Sequence, residues 1–152
     1  MLSGKKKKRT RKTSNKYRSG LEERVAKQLE DLGVPFQYET LKIKFTRPSQ
    51  DSTYTPDFIL KNGVIVESKG QFVTSDRKKH RIIREQFGKR YDIRFVFSNP
   101  NQTIGKKSTT RYRDWCDRYG FKWAKSEIPK EWIKEKNVKK RNKIHSHTLQ
   151  CN

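Results

Sequence analysis

The sequence predicts an α/β or α+β domain built on a mixed sheet flanked by helices, and three observations carry that reading. A helix-period segment precedes several strand-period ones, two apolar runs meet at an Asn-Gly turn, and a further strand, "YDIRFVFS", lies between two more helical stretches. Strands on both sides of helices in a single small domain require a sheet covered by helices.

The elements follow in order. "SGLEERVAKQLEDLG" repeats Leu21, Val25, Leu29 and Leu32 at helical spacing, with Ser19 placed to cap and Gly33 to terminate. "VPFQYE" and "LKIKF" follow as strands, the second alternating at Leu41, Ile43 and Phe45 with one wet face. "TRPSQDST" reads as a connection, because Pro48 has no amide donor and small polar residues resist pairing. "TPDFILKNGVIVESKG", residues 55–70, is a hairpin. A helix is expected from Ser75 or Asp76 to Phe87, then a strand with Ile93, Phe95 and Phe97 alternating against Arg94 and Val96. "NPNQTIGKKS" is loop, "TTRYRDWCDRYG" a helix ending at Gly120, and "IPKEWI" one further turn. Trp115, Tyr119 and Trp123 read as core rather than as base-stacking platforms.

Length and charge bound the function. The chain has 152 residues and a net charge of +22, enough for one domain and a strong pull toward a polyanion. Residues 1–18 carry nine Lys or Arg and no acid, and residues 136–152 carry five and no acid. The expected organisation is therefore a disordered basic tail over 1–17, one domain over 18–135 and a second basic tail over 136–152. No stretch approaches the roughly 20 apolar residues of a membrane span, and no secretory signal is visible, so nucleic acid is the expected partner. Cys116 and Cys151 form no ligand cluster, which fits a reducing cytosolic setting with Cys116 packed as a small side chain.

Within the hairpin, Asp57, Glu67 and Lys69 interrupt the apolar runs. A two-residue Asn62-Gly63 loop would put Asp57 and Glu67 on opposite faces. A three-residue loop, Lys61-Asn62-Gly63 with Gly63 left-handed, instead makes them direct cross-strand neighbours about 5 Å apart, with Lys69 on the same face. Two facing carboxylates in a poorly solvated cleft call for a divalent cation, and oxygen ligands suit Mg2+ or Mn2+. Such a cation supplies hydroxide and stabilises charge on a phosphate, while a nearby ammonium orients water or neutralises the transition state. An ordinary surface pair of Lys and carboxylate is the competing reading of the spacing.

Pro56-Asp57 and Glu67-Ser68-Lys69 resemble the P-D...(D/E)-x-K signature of the restriction-endonuclease-like nucleases. "RSGLEERVAKQLEDLG", "TYTPDFILKNGVIVESKG", "SDRKKHRIIREQF", "DIRFVFS" and "IPKEWIKE" are similar, in the same order, to the bacteriophage endonuclease I family, across roughly residues 17–136. The resemblance implies a restriction-endonuclease-like core and a segment-swapped homodimer. Its activity would be metal-dependent resolution of four-way (Holliday) and branched DNA by paired hydrolytic nicks, in the host-cell cytoplasm. Carried over, Asp57 and Glu67 would be metal ligands, Lys69 the catalytic lysine and Glu22 the fourth member, contributed by the other chain. The bridge between chains would lie at Arg47-Pro48-Ser49, where a stiff connection resists folding back.

Other readings stand beside these. Ser19 to Glu22 also spells a capping box, in which Glu22 reaches back to the Ser19 amide. Arg77, Arg81 and Arg84 form a basic stripe and, with Lys78, are candidate phosphate contacts flanking the metal site; a solvated face is the alternative. His80 fits a surface bystander, and Lys5, Lys6, Lys7 and Lys8 fit salt-sensitive DNA affinity. Two other functions remain open: a non-catalytic basic DNA-binding or architectural protein, and a nuclease of the same fold with a different DNA target.

Overall fold

Ser19 starts the first helix as its position suggests: its Oγ accepts from the Glu22 amide at 3.1 Å, and α1 runs Gly20–Asp31. In the computed structural model, which describes residues 16–47 and 50–136, β1 (Phe36–Tyr38), β2 (Ile43–Arg47), β3 (Gln50–Tyr54), β4 (Phe58–Leu60) and β5 (Ile65–Lys69) follow. Then come α2 (Thr74–Phe87), β6 (Ile93–Phe97), α3 (Tyr112–Tyr119), β7 (Trp123–Lys125) and α4 (Lys130–Lys134). The main sheet has the order β1-β4-β5-β6-β7, while β2 and β3 form a ribbon of their own. The β1-β4-β5 side is antiparallel and the β5-β6-β7 side parallel, so the sheet is mixed, as expected.

Strands β5 and β6 sit in the middle and bury both faces. Leu21, Val25 and Leu29 of α1 pack with Phe58, Leu60, Val64, Val66 and Trp132 on one side. Ile65, Ile83, Phe95, Phe97, Trp115 and Cys116 pack on the other. Tyr17, assigned to the tail from sequence, belongs to the first cluster. Its ring lies 4.7 Å from that of Tyr38, so the folded unit begins earlier than the charge run suggested, one aromatic side chain being enough to anchor it. The remainder of both basic ends, with Lys5 to Lys8 and Cys151, lies outside the described residues.

Two strands went unrecognised. Residues 50–54 are not a bare connection: β3 pairs with β2 from Ile43↔Tyr54 to Arg47↔Gln50. Of the polar residues that argue against pairing, Asp51 and Thr53 occupy the wet face of a two-stranded ribbon, where Thr46 Oγ1 donates to Asp51 Oδ1 at 3.2 Å, while Ser52 shares the other face with Ile43, Phe45 and Tyr54, which turn into the core. Thus the chain does fold back here, although Pro48 and Ser49 themselves lie outside the described residues. Short β7 was hidden by its length, three residues beside β6.

The hairpin register agrees with the three-residue loop. Phe58 pairs with Val66 and Ile59 with Ile65, and the Leu60 amide donates to the Val64 carbonyl at 2.9 Å. Gly63 has φ 92, a left-handed conformation that only glycine adopts without cost. Asn62 fixes the loop from both ends: Oδ1 accepts from the Val64 amide, and Nδ2 donates to the Trp132 and Glu135 carbonyls at the end of α4. Gly63→Ala should destabilise the protein by about 1–2 kcal/mol, read as a lower urea midpoint, and should slow cutting because the register carries the acidic pair.

Candidate active site

The period of two on β5 puts Glu67 and Lys69 on the face of Ile65, and the register brings Asp57 across from them. Glu67 is 4% exposed. Its Oε2 accepts from the Tyr54 hydroxyl at 2.7 Å, and its Oε1 lies 3.2 Å from Lys69 Nζ. Lys69 also reaches Asp76 Oδ2, at 3.4 Å, in the first turn of α2. Burial alone would lower the Lys69 ammonium, but Glu67, Asp76 and Asp57 together hold it above its ordinary value. The Tyr54 hydroxyl is pushed well up by burial and by Glu67, so it stays a donor.

Asp57 is held by Ser68. Its Oδ2 accepts from the Ser68 amide at 2.8 Å and the Ser68 hydroxyl at 2.9 Å. Those two bonds favour the carboxylate, yet burial first, and Glu67 next, raise Asp57 to about 7. Burial, more than the neighbouring Glu67 carboxylate, therefore outweighs the two bonds from Ser68.

Glu22 joins the same place from the N-terminal turn of α1. Ser19 caps the helix, but the Glu22 carboxylate does not close the box onto the Ser19 amide. Instead Oε2 accepts from the Arg18 amide at 2.9 Å and the Tyr38 hydroxyl at 2.5 Å. A cavity of about 560 Å3 is lined by Glu22, Asp57, Glu67, Ser68 and Lys69, with Arg18, Lys42 and Lys79 among its other walls. All four expected residues thus meet around one cavity within a single chain, whereas Glu22 was expected from the other subunit.

The basic stripe faces elsewhere. Arg77 donates to the Phe72 carbonyl and to Thr74 Oγ1. Arg81 stacks 4.6 Å from the Tyr119 ring and Arg84 5.2 Å from that of Phe121. Lys78 is exposed, and none of the four lines the cavity. The bases that do are Arg18, Lys42 and Lys79, which no periodicity singled out. His80 is no bystander: it is wholly buried, edge-on to Tyr54 at 5.0 Å, with Nε2 4.0 Å from Glu67 Oε1. Burial first, then Lys79 and Lys69, keep its imidazole well below its usual range, hence neutral. Its neighbours at i+1 and i+4, Arg81 and Arg84, had made that side of α2 look wet.

Among the described residues, no three acidic, His or Cys side chains converge as a ready-made metal cluster. That arrangement still suits Mg2+ or Mn2+, which keep several waters and bind through one or two carboxylates plus substrate phosphate. Asp57 and Glu67 have the chemistry to hold such an ion, with Glu22 close by.

The family model "Phage endonuclease I" matches residues 2–150. "Endonuclease I" of Escherichia phage T7 is 50% identical over 119 residues, covering 78% of this chain and 79% of that protein. "Endodeoxyribonuclease 1" of Enterobacteria phage T3 is 46% identical over 119 residues, 78% of each. The chain belongs to the phage endonuclease I family and is an endonuclease.

Proposed function

We propose that this endonuclease is a metal-dependent, structure-selective endodeoxyribonuclease which resolves four-way and other branched DNA junctions by paired hydrolytic nicks, in the cytoplasm of the host cell. What supports the reading is the cavity that gathers Glu22, Asp57, Glu67 and Lys69, where burial first and Glu67 next raise Asp57 to about 7, in a member of this family. Asp57 and Glu67 hold Mg2+ or Mn2+, with Glu22 beside them; when bound, the ion supplies hydroxide and charge stabilisation on the phosphate. Lys69, anchored between Glu67 and Asp76, orients the attacking water and neutralises charge on the reacting phosphate. Arg18, Lys42 and Lys79 receive the flanking phosphates, which positions the strand without reading its bases. Lys78, Arg77, Arg81 and Arg84 extend the positive field, and Lys5 to Lys8 add affinity that falls with salt. The test pairs a four-way junction with matching linear duplexes, in Mg2+ or in chelator. Junction-selective cutting in Mg2+ alone is expected. Equal cutting of duplex would overturn junction selectivity, and no cutting under any condition would overturn the site.

The working unit is a homodimer, which puts two sites on one junction. Opening the β2–β3 ribbon at residues 48–49 would exchange the segment carrying Glu22 between chains while preserving each contact it makes. Co-refolding Glu22→Gln chains with Lys69→Ala chains distinguishes the arrangements. An exchanged dimer collects both lesions in one site, leaves the other intact and regains nicking. Absence of any recovery means that each chain completes its own site.

A further inference from the structure

Three acidic side chains of the cavity, Glu22, Asp57 and Glu67, each spend one oxygen on a hydroxyl or amide of the protein itself. Tyr38 donates to Glu22 Oε2 at 2.5 Å, Tyr54 to Glu67 Oε2 at 2.7 Å, and Ser68 twice to Asp57 Oδ2, at 2.8 and 2.9 Å. The available oxygens are then Glu22 Oε1, Asp57 Oδ1 and Glu67 Oε1, the last shared with Lys69. We propose that Tyr38, Tyr54 and Ser68 are positioning residues which hold these carboxylates one-oxygen-on, one-oxygen-off, and thereby select a small octahedral cation of the Mg2+ class against Ca2+.

The physical reason lies in coordination. Mg2+ demands near-octahedral geometry at about 2.0–2.1 Å and binds single carboxylate oxygens, whereas Ca2+ takes six to eight oxygens, often both from one carboxylate. A carboxylate oxygen that already accepts from a phenol, an amide or a hydroxyl has less lone-pair capacity left for a cation, which disfavours binding through both oxygens. Tyr54 is itself fixed: it is 2% exposed, and the buried His80 ring packs edge-on against it. Tyr38 is braced by the rings of Tyr17 and Phe58, at 4.7 and 5.2 Å. The donors also sort by position in the chain. Tyr38 and Glu22 both precede residues 48–49, while Tyr54, Asp57, Glu67 and Ser68 all follow them, so each part of the site keeps its own donor whether or not chains exchange segments.

The inference rests on the metal-dependent reading above, and the experiment separates the two. Mg2+ and Ca2+ binding are measured by calorimetry on DNA-free wild type, Tyr38→Phe, Tyr54→Phe and Ser68→Ala, with circular dichroism to check the fold. Phenylalanine keeps the ring packing, and Ser68→Ala provides a variant outside the aromatic core should either ring substitution disturb it. Loss of an outer partner of a metal ligand typically costs 10–100-fold in metal affinity; that loss is expected for Mg2+, with a smaller loss or a gain for Ca2+. In cutting assays the Mg2+ concentration for half-maximal rate should rise by the same factor. Parallel losses for both cations would make the donors general supports and overturn the selectivity. Unchanged binding in all three folded variants would overturn the positioning role while leaving the metal reading standing. Absence of Mg2+ binding by wild type, together with chelator-resistant cutting, would instead remove the metal reading itself.

Discussion

Lys69→Ala should still bind a four-way junction but cut it slower by on the order of 10²–10³-fold, the usual loss when one group that stabilises transition-state charge is removed. Lys69 is held 3.2 Å from Glu67 and 3.4 Å from Asp76, which fixes its ammonium at the wall of the cavity. Arg18, Lys42 and Lys79 remain along the walls to carry phosphate affinity. Gel-shift titration in chelator reports binding, and single-turnover cutting in Mg2+ reports chemistry. Parallel loss of both would assign Lys69 to phosphate contact instead.

Asp57→Asn should abolish cutting and, in the metal-free protein above neutral pH, raise the melting temperature. Asp57 rises from 3.8 to about 7 on folding, through burial first and Glu67 second, so between those values the folded state binds the extra proton. Its contribution to stability is complete below about pH 4 and is lost as pH climbs through about 7. A rise of that size is worth on the order of 4 kcal/mol. Asparagine avoids the loss, because its carbonyl oxygen still accepts from the Ser68 amide and hydroxyl. Melting curves from pH 4 to 8 in chelator should therefore separate wild type from the variant increasingly with pH, and Mg2+ should restore wild type alone. Identical curves would mean that Asp57 is already relieved without a cation.

What could be read from the sequence was what short stretches decide. Gly63 and Asn62 set the hairpin register within a few residues, so the opposition of Asp57 and Glu67 followed from loop length. Ser19 and Gly33 bounded α1, and Gly120, with φ 74, ended α3. The nuclease family was legible in residues 55–70 and the segments around them. Long-range partners were not legible. Tyr54 lies 13 residues from Glu67 and Tyr38 16 from Glu22, and nothing in either local pattern marks a tyrosine as the donor to an acid. His80 was misread because its basic neighbours mask a buried position. Strand β3 was missed because a ribbon with one wet face uses the same Ser, Thr, Asp and Gln that fill loops. Arg94 is a similar case: a charge on a strand buried on both faces is sustained by Asp92 and Glu135, at 2.7 and 2.8 Å, the latter 41 residues away.

Anomalous diffraction from crystals of the Lys69→Ala protein grown with Mn2+ and a four-way junction would show whether Asp57 and Glu67 hold a divalent cation beside position 69. A single strong peak is expected about 2 Å from Asp57 Oδ1 and Glu67 Oε1, adjacent to a junction phosphate. A peak only outside the cavity, or none in crystals whose DNA is bound in the cavity, would contradict it.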